Sequence, residues 1–200
     1  GNSYPDGTHH LPVNWRRTIP KSILKKHSTL FLDRDGVINT ELPADYVKTW
    51  EEFHFEEGVF EALQILQAHF DRLIIVTNQR GVGAGIMTQK DLDTIHQKMI
   101  EVLSEQGITI HGIYAAIDED RASLKRKPHP YLGYEAKNDF PEIDFQNSYM
   151  VGNSGSDMEF GKTLGMYNVF IDDKKKFNSA DEVPNAHTEA DSLLEFAMKF

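Results

Sequence analysis

Two carboxylates separated by one residue directly follow an apolar run near the start of the chain. The run at 29–32 reads Thr-Leu-Phe-Leu, and Asp33, Arg34, Asp35 and Gly36 come immediately after it. Such a run predicts a buried strand of a parallel sheet, and open α/β sheets bind ligands at the carboxyl ends of their strands. Buried carboxylates are costly unless a cation shares them. A divalent metal together with a phosphate ester would explain both the cluster and its position.

Three later apolar segments, 73–76, 113–117 and 149–151, are also followed by polar side chains. In a parallel sheet the ends of all these strands lie at one edge. A single Asp-x-Asp is common, but polar residues after four strands in succession are much more specific. The polar side chains are Thr77 and Asn78 after the second strand, Lys127 after the third, and Asn153 with Asp157 after the fourth.

The segments between these strands have helical periodicity. Apolar residues recur every three or four positions in 59–68 and 88–106, and further helices are predicted at 157–164 and from Thr188 onward. A fifth strand is predicted at 169–171. Strands that alternate with helices predict an α/β fold with a doubly wound parallel sheet.

The predicted domain covers residues 28–200, and residues 1–27 are expected to form a polar N-terminal extension, partly disordered or packed on the domain. No large insertion follows Asp35 or Thr77, so we expect no large cap domain. Substrate selection would then depend on the short loops 39–57, 79–88 and 118–130.

Composition narrows the class of partner. The 200 residues carry a formal net charge of −10, which argues against nucleic acid, because proteins meet phosphate backbones with Lys and Arg. There is no cysteine, hence no disulfide and no thiolate zinc site. No apolar stretch is long enough to span a bilayer. We therefore expect a cytoplasmic protein with a small phosphorylated substrate and no membrane partner; the pattern says nothing about oligomeric state.

The motif Phe-Leu-Asp-Arg-Asp-Gly-Val-Ile-Asn at 31–39 resembles the opening motif of haloacid dehalogenase superfamily phosphatases. It is most similar to the branch that holds the histidinol phosphatases and the D-glycero-D-manno-heptose 1,7-bisphosphate phosphatases. The likeness covers roughly residues 30–171. Further similarity lies in Tyr46-Val47, Thr77-Asn78-Gln79-Arg80-Gly81, Arg126-Lys127-Pro128 and Ser156-Asp157-Met158.

The resemblance implies a role for each residue. Asp33 would be the nucleophile that forms an aspartyl-phosphate, and Asp35 the general acid and base. Lys127 would neutralise charge on the nucleophile and on the phosphoryl group, to which Thr77 and Asn78 would donate hydrogen bonds. Mg²⁺, which prefers oxygen ligands, would complete the site. Its expected ligands are Asp33, the carbonyl of Asp35, Asn153 and Asp157.

Each of these residues also has a simpler interpretation. Asp33 and Asp35 could cap a turn or helix, Thr77-Asn78 could simply end a strand, and Lys127 lies in a basic run that could be a solvated face. Asp157 on its own would be an acid at a helix start. The four strand ends taken together favour the catalytic interpretation.

The chain departs from the family pattern at three places. Asn153 stands where the family usually has Asp as a metal ligand, and an amide oxygen brings no charge, so we expect weaker metal binding. The zinc-binding cysteine loop of many branch members is missing, so no zinc is expected. In the loop after the second strand, the arginine stands earlier than in the family pattern, at Arg80. Arg80 and Arg126 could bind a distal phosphate or carboxylate, or could equally be surface charge.

Together these observations predict a Mg²⁺-dependent phosphomonoester hydrolase that acts through an aspartyl-phosphate. The leading substrate is a phosphorylated sugar such as D-glycero-D-manno-heptose 1,7-bisphosphate. Histidinol phosphate is the alternative within the branch. A phosphate-binding protein with weakened catalysis is the alternative outside enzymes, prompted by Asn153.

Overall fold

The computed structural model describes residues 26–173 and 183–200, so residues 1–25 of the predicted N-terminal extension lie outside the described residues. The described part contains one sheet of six parallel strands in the order β3-β2-β1-β4-β5-β6. The strands are β1 His27–Leu32, β2 Phe70–Asn78, β3 Gly112–Ala116, β4 Tyr149–Gly152, β5 Tyr167–Ile171 and β6 Thr188–Ala190.

Helices connect the first five strands. The helices are α1 Val59–Gln67, α2 Arg80–Gly83, α3 Gln89–Glu105, α4 Tyr131–Asp139, α5 Gly155–Leu164 and α6 Leu193–Met198, with short 3₁₀ helices at Trp50–Glu52 and Phe145–Asn147. A parallel crossover needs a dozen or more residues, and each of the four connections between these five strands contains at least one helix.

Alternate residues of the central strands face two separate cores. Leu30 and Leu32 of β1 pack in a cluster with residues of α1, α3 and α6, whereas Phe31 packs on the other face with residues of α4 and α5. Each of these three side chains is fully buried. A strand buried on both faces needs continuous apolar sequence, which explains the run at 30–32. The predicted doubly wound parallel α/β fold is confirmed.

Helix α3 begins with a reciprocal pair of capping hydrogen bonds. Thr88 Oγ1 accepts a hydrogen bond from Asp91 N at 3.0 Å, and Asp91 Oδ2 accepts one from Thr88 N at 2.8 Å. This reciprocal capping box satisfies two backbone donors that the helix itself leaves unpaired.

The structure differs from the sequence prediction near the carboxyl terminus. Residues 188–190 form the edge strand β6 beside β5, with Thr188 aligned to Val169, and the last helix starts only at Leu193. The hydroxyl of Ser192, rather than Thr188, caps that helix by accepting from Glu195 N at 3.0 Å. Three residues are too few for a periodic strand signal, so pairing with β5 decides their conformation.

The segment between β1 and α1 contains no cap domain. Isolated β-bridges pair Asn39 with Asp35 and with Phe55. The rings of Trp50, Phe53 and Phe55 contact one another and pack on the core. The segment is therefore a short folded loop at the rim of the sheet. Within 26–173 and 183–200, no helix is both long enough and apolar enough to cross a bilayer.

Candidate active site

The carboxyl ends of neighbouring strands bring the predicted residues to one edge of the sheet, around a cavity of about 190 Å³. Asp33 follows β1, Asn78 ends β2 and Asn153 follows β4, while Lys127 comes from the loop after β3. The cavity is lined by Asp33, Asp35, Glu41, Leu42, Asp45, Tyr46, Val47, Asn78, Gln79, Lys127, Asn153, Ser154, Ser156 and Asp157.

Lys127 is the centre of the polar contacts. Its ammonium donates to Asp33 Oδ1 at 2.9 Å, to Asp157 Oδ1 at 2.6 Å and to the Val76 carbonyl at 2.8 Å. An ammonium has three protons, so this geometry uses all of them. With 2% of its side chain exposed, Lys127 is a buried ion that its two carboxylates hold in place, not a solvated surface charge.

One ammonium cannot offset two buried carboxylates. Burial alone would lower the pKa of Lys127, but the carboxylates of Asp157 and Asp33 outweigh it and raise that pKa above its usual range. Burial and the negative charge of Asp157 raise the pKa of Asp33 well above its usual range, although Lys127 opposes the shift. Asp33 Oδ1 also accepts from Arg34 N at 2.9 Å. The site therefore has excess negative charge that an added cation would relieve.

Both oxygens of Asp157 are used by the protein. Oδ1 accepts from Lys127, and Oδ2 accepts from the backbone N of Asn153 at 3.1 Å and from the Ser154 N and hydroxyl at 3.2 and 2.9 Å. The contact from Ser154 N to Asp157 Oδ2 is one half of the capping box that starts α5. This carboxylate therefore positions Lys127 and the loop after β4, and its predicted role as a metal ligand stays a prediction.

Asp35 lies beside the cavity with three side-chain donors around it. Oδ1 accepts from Arg34 Nη2 and from Asn39 Nδ2, both at 2.9 Å, and Oδ2 accepts from Gln79 Nε2 at 2.8 Å. Burial would raise the pKa of Asp35, but the Arg34 guanidinium and the hydrogen bonds of Asn39 and Gln79 lower it below its usual value. The carboxylate is therefore ionised and fixed in orientation.

Arg34 is fully buried beneath the two aspartates, and His96 of α3 holds its other branch. Arg34 Nη1 lies 3.1 Å from His96 Nε2. Since a guanidinium only donates, the imidazole nitrogen must accept, which requires a neutral ring. Burial and the positive charge of Arg34 lower the pKa of His96 to about 4, so the ring is neutral at pH 7.

Asn78 makes contacts that differ from the predicted ones. Its Nδ2 donates to the Lys127 carbonyl and its Oδ1 accepts from Lys127 N, both at 3.0 Å. Asn78 therefore holds the backbone of Lys127 with its amide oxygen and one amide proton, and it lines the cavity, so its predicted hydrogen bond to a phosphoryl group stays a prediction. Thr77 is fully buried, does not line the cavity, and accepts at Oγ1 from Gln79 Nε2 at 2.9 Å.

The structure does not bring Arg80 and Arg126 into the cavity lining. Arg80 Nε donates to the Glu119 carbonyl at 2.6 Å, and its Nη1 lies 3.4 Å from the hydroxyl of Tyr46, which does line the cavity. Arg126 is half-buried, with one buried guanidinium nitrogen, Nη1, that has no hydrogen-bond partner among the described residues. Arg80 thus reaches the cavity only through Tyr46.

Known proteins that are similar to this chain identify its family. The family model described as polynucleotide kinase 3 phosphatase matches residues 28–198. A D-glycero-alpha-D-manno-heptose-1,7-bisphosphate 7-phosphatase of Mycobacterium tuberculosis is 38% identical over 136 residues, which cover 68% of this chain and 72% of the relative. The corresponding beta-specific enzyme of Helicobacter pylori is 37% identical over 152 residues, which cover 74% of this chain and 85% of the relative.

The chain belongs to the heptose-bisphosphate phosphatase family of the haloacid dehalogenase superfamily. It is therefore a phosphoric monoester hydrolase, as its sequence predicted. Of the two kinds of phosphatase in the predicted branch, these relatives support the heptose-bisphosphate phosphatases. The resemblance to histidinol phosphatases stays a prediction. The fold is similar to that of a D,D-heptose 1,7-bisphosphate phosphatase from B. bronchiseptica, whose crystal structure is a complex with magnesium and phosphate. The TM-score is 0.76 at 24% identity, and the match covers 86% of this chain and 97% of the other.

Sequence reasoning missed several residues of this phosphatase site. Asn39 and Gln79 lie within the recognised motifs, so their proximity to Asp35 could have been anticipated. Glu41 lies in the loop after the first motif, and its Oε2 accepts from Asn153 Nδ2 at 2.9 Å. His96 sits in the middle of a helix 62 residues from Arg34, and no local pattern indicates their contact.

Replacing His96 with Leu is expected to lower the kcat of the phosphatase by roughly tenfold to a hundredfold with little change in KM. The leucine leaves Arg34 Nη1 without its acceptor, so the guanidinium no longer holds Asp35 in place, whereas His96 itself does not line the cavity. Steady-state kinetics of phosphate release would measure the split between kcat and KM.

The matched control is His96→Gln, whose side-chain oxygen can accept from Arg34 at a similar reach. It should recover most of the kcat that His96→Leu loses. Equal losses in both variants, or a loss confined to KM, would contradict a positioning role for His96.

Proposed function

We propose that this phosphatase hydrolyses a phosphate ester of a small phosphorylated sugar, with D-glycero-D-manno-heptose 1,7-bisphosphate as the leading substrate. The proposed nucleophile is Asp33, the proposed general acid and base is Asp35, and Lys127 stabilises charge. The observation that carries the assignment is the contact of Lys127 with both Asp33 and Asp157 beside the cavity. Asp33 Oδ2 accepts no hydrogen bond from the described residues, so this oxygen is available to attack phosphorus.

The proposed reaction has two steps. Asp33 attacks phosphorus, the bond to the sugar oxygen breaks, and Asp35 protonates the departing alkoxide. Water then attacks the aspartyl-phosphate, Asp35 takes its proton, and inorganic phosphate and free Asp33 result. The ionised Asp35 of the structure is in the form needed for the second step. For the first step, the negative charge of the arriving phosphate would raise its pKa and favour uptake of a proton.

The contacts that fix Lys127 preorganise the site. Its ammonium is placed by two carboxylates and a carbonyl, and its backbone is placed by Asn78, so it needs no reorganisation when charge develops on the phosphoryl group. We propose that Asn78 acts through Lys127, while Thr77 supports Gln79, which donates to Asp35.

The donor set fits Mg²⁺. The Asp33 carboxylate, the Asp35 carbonyl and the Asn153 amide oxygen are the hard oxygen ligands this ion prefers. Within the described ranges no group of three or more His, Cys, Asp or Glu forms a metal cluster, so a metal here depends on amide and backbone oxygens as well. When bound, Mg²⁺ would offset repulsion between the carboxylates and the incoming phosphate.

The rim of the cavity supports a small polar substrate. Glu41 and Asp45 supply carboxylates that can accept hydrogen bonds from sugar hydroxyls, and Tyr46 supplies a ring and a hydroxyl. An acidic rim disfavours a polynucleotide end, despite the name of the matching family model. It would also suit the cationic groups of histidinol phosphate, which is therefore the second candidate substrate.

A phosphate-release assay on a substrate panel tests the proposal. The panel contains both anomers of the heptose bisphosphate, histidinol phosphate and a 3′-phosphorylated oligonucleotide, each with Mg²⁺ and with EDTA. We expect a kcat/KM for the sugar bisphosphate about 100-fold above the others, since the other substrates lack the set of hydroxyls that Glu41 and Asp45 would bind. Release that does not exceed an Asp33→Asn control on every substrate would overturn the proposal.

A further inference from the structure

Glu41 contacts Asn153, the one expected side-chain ligand of the metal that brings no charge. Its Oε2 accepts from Asn153 Nδ2 at 2.9 Å, across 112 residues of sequence, and both residues line the cavity. We propose that Glu41 is a positioning residue for the metal: it orients the Asn153 amide so that its oxygen faces the cation, and it supplies the negative charge that the amide lacks. The inference rests on the proposed Mg²⁺ site.

The orientation follows from hydrogen-bond chemistry. An ionised carboxylate can only accept, whereas an amide group donates through nitrogen and accepts through oxygen. With nitrogen turned to Glu41, the amide oxygen of Asn153 points away from that carboxylate. A glutamine at position 41 could pair with either end of the amide and would lose this discrimination.

Two further contacts hold Asn153 in place, one through its backbone and one through its side chain. The backbone N of Asn153 donates to Asp157 Oδ2 at 3.1 Å. The amide packs on Gly36, where a Cβ atom would lie only 1.9 Å from Asn153 Nδ2. Gly36 has a φ of 89°, which favours glycine, and it directly follows Asp35. The Asn153 amide therefore lies directly against the loop that carries both catalytic aspartates.

Asp45 offers a matched control for charge alone. It is also an acid in the cavity lining, but its carboxylate accepts from Tyr46 N at 2.7 Å and from Lys48 Nζ at 3.1 Å. The described structure shows no contact between Asp45 and Asn153. An Asp45→Asn change thus removes one negative charge from the same cavity without touching the Asn153 amide.

The test is calorimetric titration of Mg²⁺ into the metal-free protein, without substrate. We expect Glu41→Gln to weaken Mg²⁺ binding by about tenfold or more, the usual size of an effect on a residue that orients a ligand. Asp45→Asn should weaken it by less than about threefold, because an exposed charge is screened. Circular dichroism in EDTA checks that each variant folds.

Asn153→Asp reverses the expected effect of changing Glu41. In that variant two carboxylates would face each other, and a glutamine introduced in place of Glu41 could donate a hydrogen bond to the new carboxylate. Glu41→Gln should therefore leave Mg²⁺ affinity unchanged or increase it in the Asn153→Asp background. Equal weakening in both backgrounds, or weakening no greater than that of Asp45→Asn, would overturn the inference while leaving the proposed function intact. A wild-type chain that neither binds Mg²⁺ nor releases phosphate would instead overturn the proposed function.

Discussion

Asp33→Asn is expected to lower phosphate release by about a thousandfold or more on every substrate, because an amide cannot attack phosphorus as a carboxylate does. The amide oxygen can still accept from Lys127, so the contacts of the site should persist. The measurement is Mg²⁺-dependent release of inorganic phosphate, with wild type and variant purified in parallel.

The same variant should be at least as stable as wild type when metal is removed. Lys127 is shared by two buried carboxylates, and the change removes one of the two charges. Thermal unfolding in EDTA would show a melting temperature equal to or above that of wild type. A variant that is inactive and strongly destabilised would point to a structural role for Asp33, and activity within tenfold of wild type would exclude it as the nucleophile.

Lys127→Met is expected to lower the free energy of unfolding by about 3–5 kcal/mol and to abolish phosphate release. The methionine fills similar space but leaves Asp33 and Asp157 buried without a counter-charge, and the side chain of Asp157 is only 1% exposed. Urea unfolding monitored by circular dichroism would measure the stability loss.

A second variant isolates the charge effect. In an Asp33→Asn background one of the two carboxylates is already neutral, so Lys127→Met should cost less stability than in wild type. The effects of the two changes on the free energy of unfolding would not add, as is usual for residues in direct contact. A loss below about 1 kcal/mol in the single variant, or strict additivity in the double, would contradict a buried ion pair at Lys127.

The strand ends were the most predictable part of the site. The run at 30–32 is apolar because β1 is covered on both faces, so its last residue can be identified from sequence, and the acids that follow lie at the ligand-binding edge. The capping residues Thr88 and Asp91 were predictable for a similar reason, since both partners lie within one helical turn.

Roles that depend on a distant partner were not predictable in the same way. The sequence did not indicate that the Asn78 amide holds the backbone of Lys127, 49 residues away. It also did not indicate that the Asp157 carboxylate accepts from the Lys127 ammonium as well as from the start of α5. Arg80 and Arg126 were left open between substrate binding and surface charge, and neither lines the cavity.

The sequence by itself determined the class of fold, the edge of the sheet that carries the chemistry, and the acids and lysine placed there. These properties depend on local periodicity and on residues next to strand ends. Only the tertiary structure decided which side chains act together: Lys127 with Asp33, Arg34 with His96, and Glu41 with Asn153. The partners lie 94, 62 and 112 residues apart. Such pairs depend on strand order and on the packing of loops at the sheet edge, which no local pattern specifies.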